Sequence, residues 1–121
     1  MAVPSPALPP DVPQDLVKGS IVPIVLALLG ERPRYGYEIV KLVDARSNGL
    51  LKWKEGTLYP TLHKLEADGL VQAEWRDAAA AEGGRPRKYY ALTRAGRAEL
   101  ATKAGQWRAF AAAVNAVLGP A

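Results

Sequence analysis

Residues 56–75 read GTLYPTLHKLEADGLVQAEW, and the hydrophobic period changes partway along them. Leu58, Leu62 and Leu65 recur at i, i+4 and i+7, the spacing of one helical face, which predicts a helix over roughly Gly56–Ala67. Gly69 is placed to end that helix in a left-handed conformation. Pro60 fits if Thr57 stands near the N-cap, because first-turn amides have no helical partner in any case. From Leu70 to Trp75 the composition becomes that of a short strand, and a second strand is expected over Lys88–Leu92. Ala78–Ala81 and Gly83-Gly84-Arg85-Pro86 lie between them, a turn with basic residues on its outgoing side.

Upstream, Tyr35, Ile39, Leu42 and Val43 share one face of a second amphipathic helix. It runs out at the turn-forming Ser47-Asn48-Gly49. The apolar block Leu16–Leu29 is too long for a strand and predicts a buried helix closed by Gly30 and Pro33. Pro23 then either falls in the first turn of a helix starting near Ser20 or kinks a longer one. Pro4, Pro6, Pro9, Pro10 and Pro13 predict a disordered or polyproline-like tail over residues 1–13. Downstream, Thr93 caps a last helix reaching about Leu118. Helix, helix, helix, hairpin, helix is an α+β, mainly α plan. It is that of a winged helix-turn-helix (three helices and a two-stranded wing, residues 14–92) followed by a C-terminal dimerisation helix over 93–121.

That last helix is expected to dimerise because of its own periodicity. Leu100, Ala104, Trp107, Ala111, Val114 and Leu118 form a heptad stripe, widened by Phe110 and Val117. A lone helix cannot bury it, and 121 residues leave little core to cover it. Trp107 lies among small residues, Ala104 and Ala111, so its ring either fills the space they leave or borders a gap. Two such rings near a two-fold axis could sandwich a planar aromatic guest. Trp53 and Trp75 are poorer candidates, since one precedes the third helix and the other ends a strand leading into the wing.

The chain is 49% hydrophobic and 23% charged, with no cysteine and a single histidine, His63. This composition offers no disulfide, no thiolate or histidine metal cluster and no cofactor motif. A nucleophile–base pair is equally missing, because His63 stands alone on a polar helix face, so an enzyme is not expected. The longest apolar run, Ile21–Leu29, is far short of the roughly 20 residues a bilayer requires, and a secretory signal is not expected. A cytoplasmic protein is the expectation. Charge is unevenly placed: residues 1–82 carry nine basic and eleven acidic side chains, whereas 83–121 carry seven basic and one acidic. A basic C-terminal third points to nucleic acid.

In a winged helix the third helix would enter a major groove and the wing would touch backbone or minor groove. Thr57, Tyr59, Pro60, His63 and Lys64 are then the candidate contacts of that helix, and Arg85, Arg87 and Lys88 those of the wing. Of Tyr89 and Tyr90, which alternate across the strand, one is expected in the core. A winged-helix module that binds protein or RNA, with no small-molecule effector, is the alternative. Three segments carry a more specific resemblance: Tyr35-Gly36-Tyr37-Glu38-Ile39; Gly56–Leu62 with Leu65-Glu66 and Gly69-Leu70; and Gly84–Tyr90 with Leu92-Thr93 and Gly96. Together they resemble the PadR family of transcriptional regulators over about Leu16–Leu118. The resemblance implies a homodimeric repressor on an inverted-repeat operator of double-stranded DNA, released by an aromatic or hydrophobic effector. The single C-terminal helix is similar to the smaller subgroup, in which a tryptophan in the matching part of that helix stacks on flat, often cationic compounds.

Overall fold

The computed structural model describes residues 12–77 and 84–120, so most of the proline-rich tail and the alanine stretch of the hairpin tip lie outside the described residues. In chain order the elements are α1 (Gln14–Lys18), α2 (Ile21–Glu31), β1 (Arg34–Tyr35), α3 (Gly36–Arg46), α4 (Glu55–Ala67), β2 (Val71–Arg76), β3 (Arg87–Leu92) and α5 (Arg94–Leu118). The three strands form one antiparallel sheet in the order β1-β3-β2. The core gathers Val25, Leu26 and Leu29 of α2, Ile39 and Val43 of α3, Leu58, Leu62 and Leu65 of α4, and Val71, Tyr90 and Leu92 of the sheet. Each such side chain taken out of water contributes about 1.5–3 kcal/mol before conformational entropy is set against it. The mainly helical α+β plan with its winged hairpin is the one the periodicities predict.

Four local readings are corrected. Leu16–Leu29 is not one helix, because α1 ends at Lys18 and α2 begins at Ile21, with Ser20 Oγ donating to the Val17 carbonyl at 2.6 Å across the break. Pro23 therefore sits in the first turn of α2, where its missing amide costs nothing. Gly30 does not close that helix, which runs through to Glu31 before Arg32 turns extended. A Cβ at Gly30 would stand 2.7 Å from Cδ2 of Leu100, so the glycine lets α2 and α5 approach closely. Tyr35 is strand rather than helix: it pairs with Tyr89, while Arg34 pairs with Tyr90. Finally, α4 starts at Glu55 with Lys54 as its N-cap, which puts Pro60 inside the helix rather than in its first turn. Pro60 has no N–H to donate back to the Gly56 carbonyl.

Two tight junctions hold these elements together. At the first, Arg34 is buried, with 4% of its surface exposed. Its Nε donates to the Leu28 carbonyl at 3.0 Å, and its Nη1 and Nη2 donate to Glu38 and Glu31. Glu31 also accepts from Arg46 at 2.7 and 2.8 Å, tying the end of α2 to the end of α3. At the second, Thr93 caps α5 by accepting from the Gly96 amide at 3.1 Å and donates its hydroxyl proton to the Gly69 carbonyl at 2.7 Å. Gly69 has φ +75 and ends α4, as its position in the sequence predicts. The first turn of α5 lies so close to the α4–β2 turn that a Cβ at Gly96 would overlap the Leu70 carbonyl oxygen.

Gly96→Ala is expected to push α5 off that carbonyl and to lower stability by roughly 2–3 kcal/mol, an overpacking cost, read as a fall in thermal midpoint of about 10 °C or more. A second expectation concerns acid. The guanidinium groups of Arg46 and Arg34 hold the Glu31 carboxyl at about 2, against an ordinary 4.5. A carboxyl lowered in the folded state stabilises fully above its unfolded value and loses that contribution as pH falls toward 2. Glu31→Gln should therefore be less stable than the parent at neutral pH, by about 1 kcal/mol because half of the side chain is in water, and the difference should vanish near pH 2. Denaturant titrations at pH 7, 4 and 2 read this directly.

Candidate nucleic-acid interface

Burying Leu58, Leu62 and Leu65 turns the opposite face of α4 outward, and Gly56, Thr57, Pro60, His63 and Lys64 are all exposed there. Thr57 accepts on its carbonyl from Thr61 Oγ1 at 3.3 Å, and Lys64 lies 3.6 Å from Asp68 one turn on. Tyr59 differs from these neighbours. It is half-buried and packs against the core, with its ring pressed onto α3 so closely that a Cβ at Gly36 would meet its hydroxyl at 2.5 Å. Burial, then the Glu55 carboxylate and Tyr90, push its phenol above the ordinary value. Its hydroxyl therefore stays protonated and can still donate. His63 stands beside it, with ring centroids 6.3 Å apart.

The second half of the interface is the wing. Register places Ala73 opposite Tyr90, Trp75 opposite Lys88, Glu74 opposite Tyr89 and Arg76 opposite Arg87. Tyr90 is the buried member of its pair of tyrosines and Tyr89 faces the other way, as the alternation predicts. On the outer face Tyr35 and Tyr89 meet edge to face at 5.4 Å. The Arg87 guanidinium lies over Tyr35 at 4.4 Å and that of Arg76 over Tyr89 at 4.6 Å. Two arginines directly across a ladder would otherwise repel, and each is held over its own ring. On the inner face the Lys88 ammonium lies 5.5 Å from the Tyr90 centroid. Arg85 is exposed at the start of the outgoing arm. Arg76 completes this basic surface and is absent from the residues that sequence alone suggests. Only its register with Arg87 reveals it, and the extent of the strands was not legible to that precision.

The α5 residues separate into two groups. Leu100 packs into its own chain's core beside Gly30 and Leu92. Trp107, Phe110, Val114 and Leu118 are 41%, 64%, 38% and 74% exposed. Ala104, Trp107 and Ala111 line an open apolar groove of 660 Å³ between α5 and the α1–α2 segment, together with Leu16, Ile24 and Leu51. No helix among the described residues is long and apolar enough to cross a membrane.

Comparison with known proteins agrees with this arrangement. The model of the transcriptional regulator PadR-like family matches residues 25–102. An uncharacterized protein of Lysinibacillus sphaericus is 36% identical over 96 residues, which are 79% of this chain and 85% of that protein. A transcriptional regulator from Clostridium thermocellum superposes with a TM-score of 0.78 at 28% identity, over 89% of this chain and 99% of its own. A PadR family transcriptional regulator from Eggerthella lenta gives 0.72 at 32% identity, over 88% of both chains. The family is one of regulators rather than enzymes. With the match spanning α2 through the first turns of α5, the chain belongs to the PadR-like family of transcriptional regulators.

Proposed function

We propose that two copies of this chain bind double-stranded DNA as a homodimer and repress transcription from an inverted-repeat operator. In this reading residues 14–92 form the DNA-binding unit and 93–121 the dimerisation unit. The observation that carries it is the grouping of Arg76, Arg85, Arg87 and Lys88 on the wing of a chain whose α4 turns a polar face outward. Thr57, Pro60, His63 and Lys64 reach bases and phosphates in the major groove. Tyr59 supports them from its seat on Gly36 and offers its hydroxyl. The wing cations neutralise backbone phosphates beside them.

Dimerisation is supported by the outer part of α5. Its five exposed large side chains from Trp107 to Leu118 are too apolar to leave in water, and a second copy of the same helix is the economical cover. Pairing there would set two α4 helices about 34 Å apart, one turn of DNA. A planar aromatic effector entering between Trp107 and its symmetry mate, with Ala104 and Ala111 leaving room, would change that spacing and lower operator affinity without touching DNA. The groove has the size and apolar lining of a small-molecule site.

Three experiments test the reading. Replacing Arg85 and Lys88 together with alanine should weaken binding to every duplex and reduce the slope of log affinity against log salt by about two units, one for each phosphate left without its cation. Unchanged affinity at physiological salt removes the wing from the interface, and stronger binding to RNA of the same sequence selects the alternative partner. The intact protein should scatter light with twice the mass of the chain. A planar aromatic dye should quench its tryptophan emission with an affinity at least tenfold higher than for Trp107→Ala. Equal dye affinities, with the variant still dimeric, reduce Trp107 to packing.

A further inference from the structure

The wing carries one large aromatic ring that serves neither the core nor the cation–ring pairs of the sheet. Trp75 stands on β2 opposite Lys88 of β3, and 67% of its surface is exposed. Alternation puts it on the face of Val71, Ala73, Tyr90 and Leu92. Along that face exposure rises from 2% at Val71 and 1% at Tyr90 to 67% at Trp75, so the hairpin leaves the core between Ala73 and Trp75. The other rings of the sheet are better covered: Tyr90 is buried, and Tyr35 and Tyr89 are half-buried beneath Arg87 and Arg76.

The surroundings indicate what such a ring can meet. Lys88 is directly across the ladder on the same face, while Arg76 and Arg87, next along their strands, lie on the opposite face over Tyr89 and Tyr35. Two acids are nearby, Glu74 and Asp77, and Glu74 is held by Arg76 at 2.9 Å. An open indole beside Lys88, on a hairpin whose other face carries two more cations, is complementary to a surface that offers apolar faces between anions. Duplex DNA is such a surface, since deoxyribose rings separate its phosphates. The paired strands also fix the ring's backbone beforehand, so little order is lost on contact.

We infer that Trp75 is a DNA-contacting residue whose indole lies against deoxyribose faces in the groove the wing enters, while Lys88 and Arg85 take the flanking phosphates. This rests on the DNA-binding reading above. The probe is a duplex selected from a random pool by the wild-type protein, with affinity followed by fluorescence anisotropy across a range of salt. Trp75→Ala should weaken binding about 5- to 30-fold, the scale of one aromatic contact, and Trp75→Phe should recover most of the loss. The salt slope should not change, because no cation is removed. Wild-type affinity in Trp75→Ala overturns the inference. So does a slope reduced by about one unit with no recovery in Trp75→Phe, which would mean that the ring merely holds Lys88. If the wild-type protein selects no duplex at all, the DNA-binding reading fails instead. Should Trp75→Ala not fold, acrylamide quenching of the emission that wild type shows and Trp75→Phe lacks decides the matter: the duplex must shield it, and unshielded emission overturns the contact.

Discussion

A buried guanidinium organises this small protein. Arg34 sits where the end of α2, the two residues of β1 and the start of α3 converge, and every direction its nitrogens point in is answered by a carbonyl or carboxylate. A charge in such a place is tolerated only when its partners are all present, and removing one would strand the others. The requirement fixes three elements at once. It holds the last turn of α2 through Leu28, it holds α3 through Glu38, and it keeps β1 against β3 through the pairing of Arg34 with Tyr90. The neighbouring residue, Tyr35, then has no freedom in where its ring lies, and the seat of Arg87 follows from that. The wing is in this sense an extension of the helix-turn-helix rather than an appendage.

Much of this was legible in the sequence. The leucines of α4, the glycine that ends it, the threonine cap of α5 and the alternation through Tyr90 each follow from a local rule of period or capping, and each is where that rule puts it. What was not legible has physical reasons. A two-residue strand has no period, so Tyr35 read as the first residue of the helix it precedes. The break at Gly19-Ser20 is hidden because apolar residues continue on both sides of it. Propensity assigns Pro60 to a first turn, yet tertiary packing extends α4 upstream to Glu55 and tolerates one absent hydrogen bond.

The candidate site shows the same division. Exposed cations and the polar face of α4 could be read from sequence, because hydrophobic spacing says which side is left over. The half-buried seat of Tyr59 on Gly36 could not, since it depends on how α3 crosses α4. Nor could the splitting of the α5 stripe, in which Leu100 serves its own core and the residues beyond it do not. A heptad pattern states that a face must be covered and is silent about which chain covers it.

The contact between Gly96 and the Leu70 carbonyl has a mechanical consequence. Helix α5 is 25 residues long, about 37 Å at 1.5 Å per residue, and its tightest contacts lie near one end, Gly96 against Leu70 and Leu100 against Gly30. It is therefore a lever with its fulcrum beside the turn that joins the third long helix to the wing. A swing of about 5° at the fulcrum carries the far tip through about 3 Å, and by the same ratio a push at the tip arrives at the fulcrum reduced in distance and multiplied in force. Sequence length beyond Leu100 thus sets the gearing between the two ends of the molecule, and adding or deleting a helical turn there would change that ratio without altering a single residue at either end.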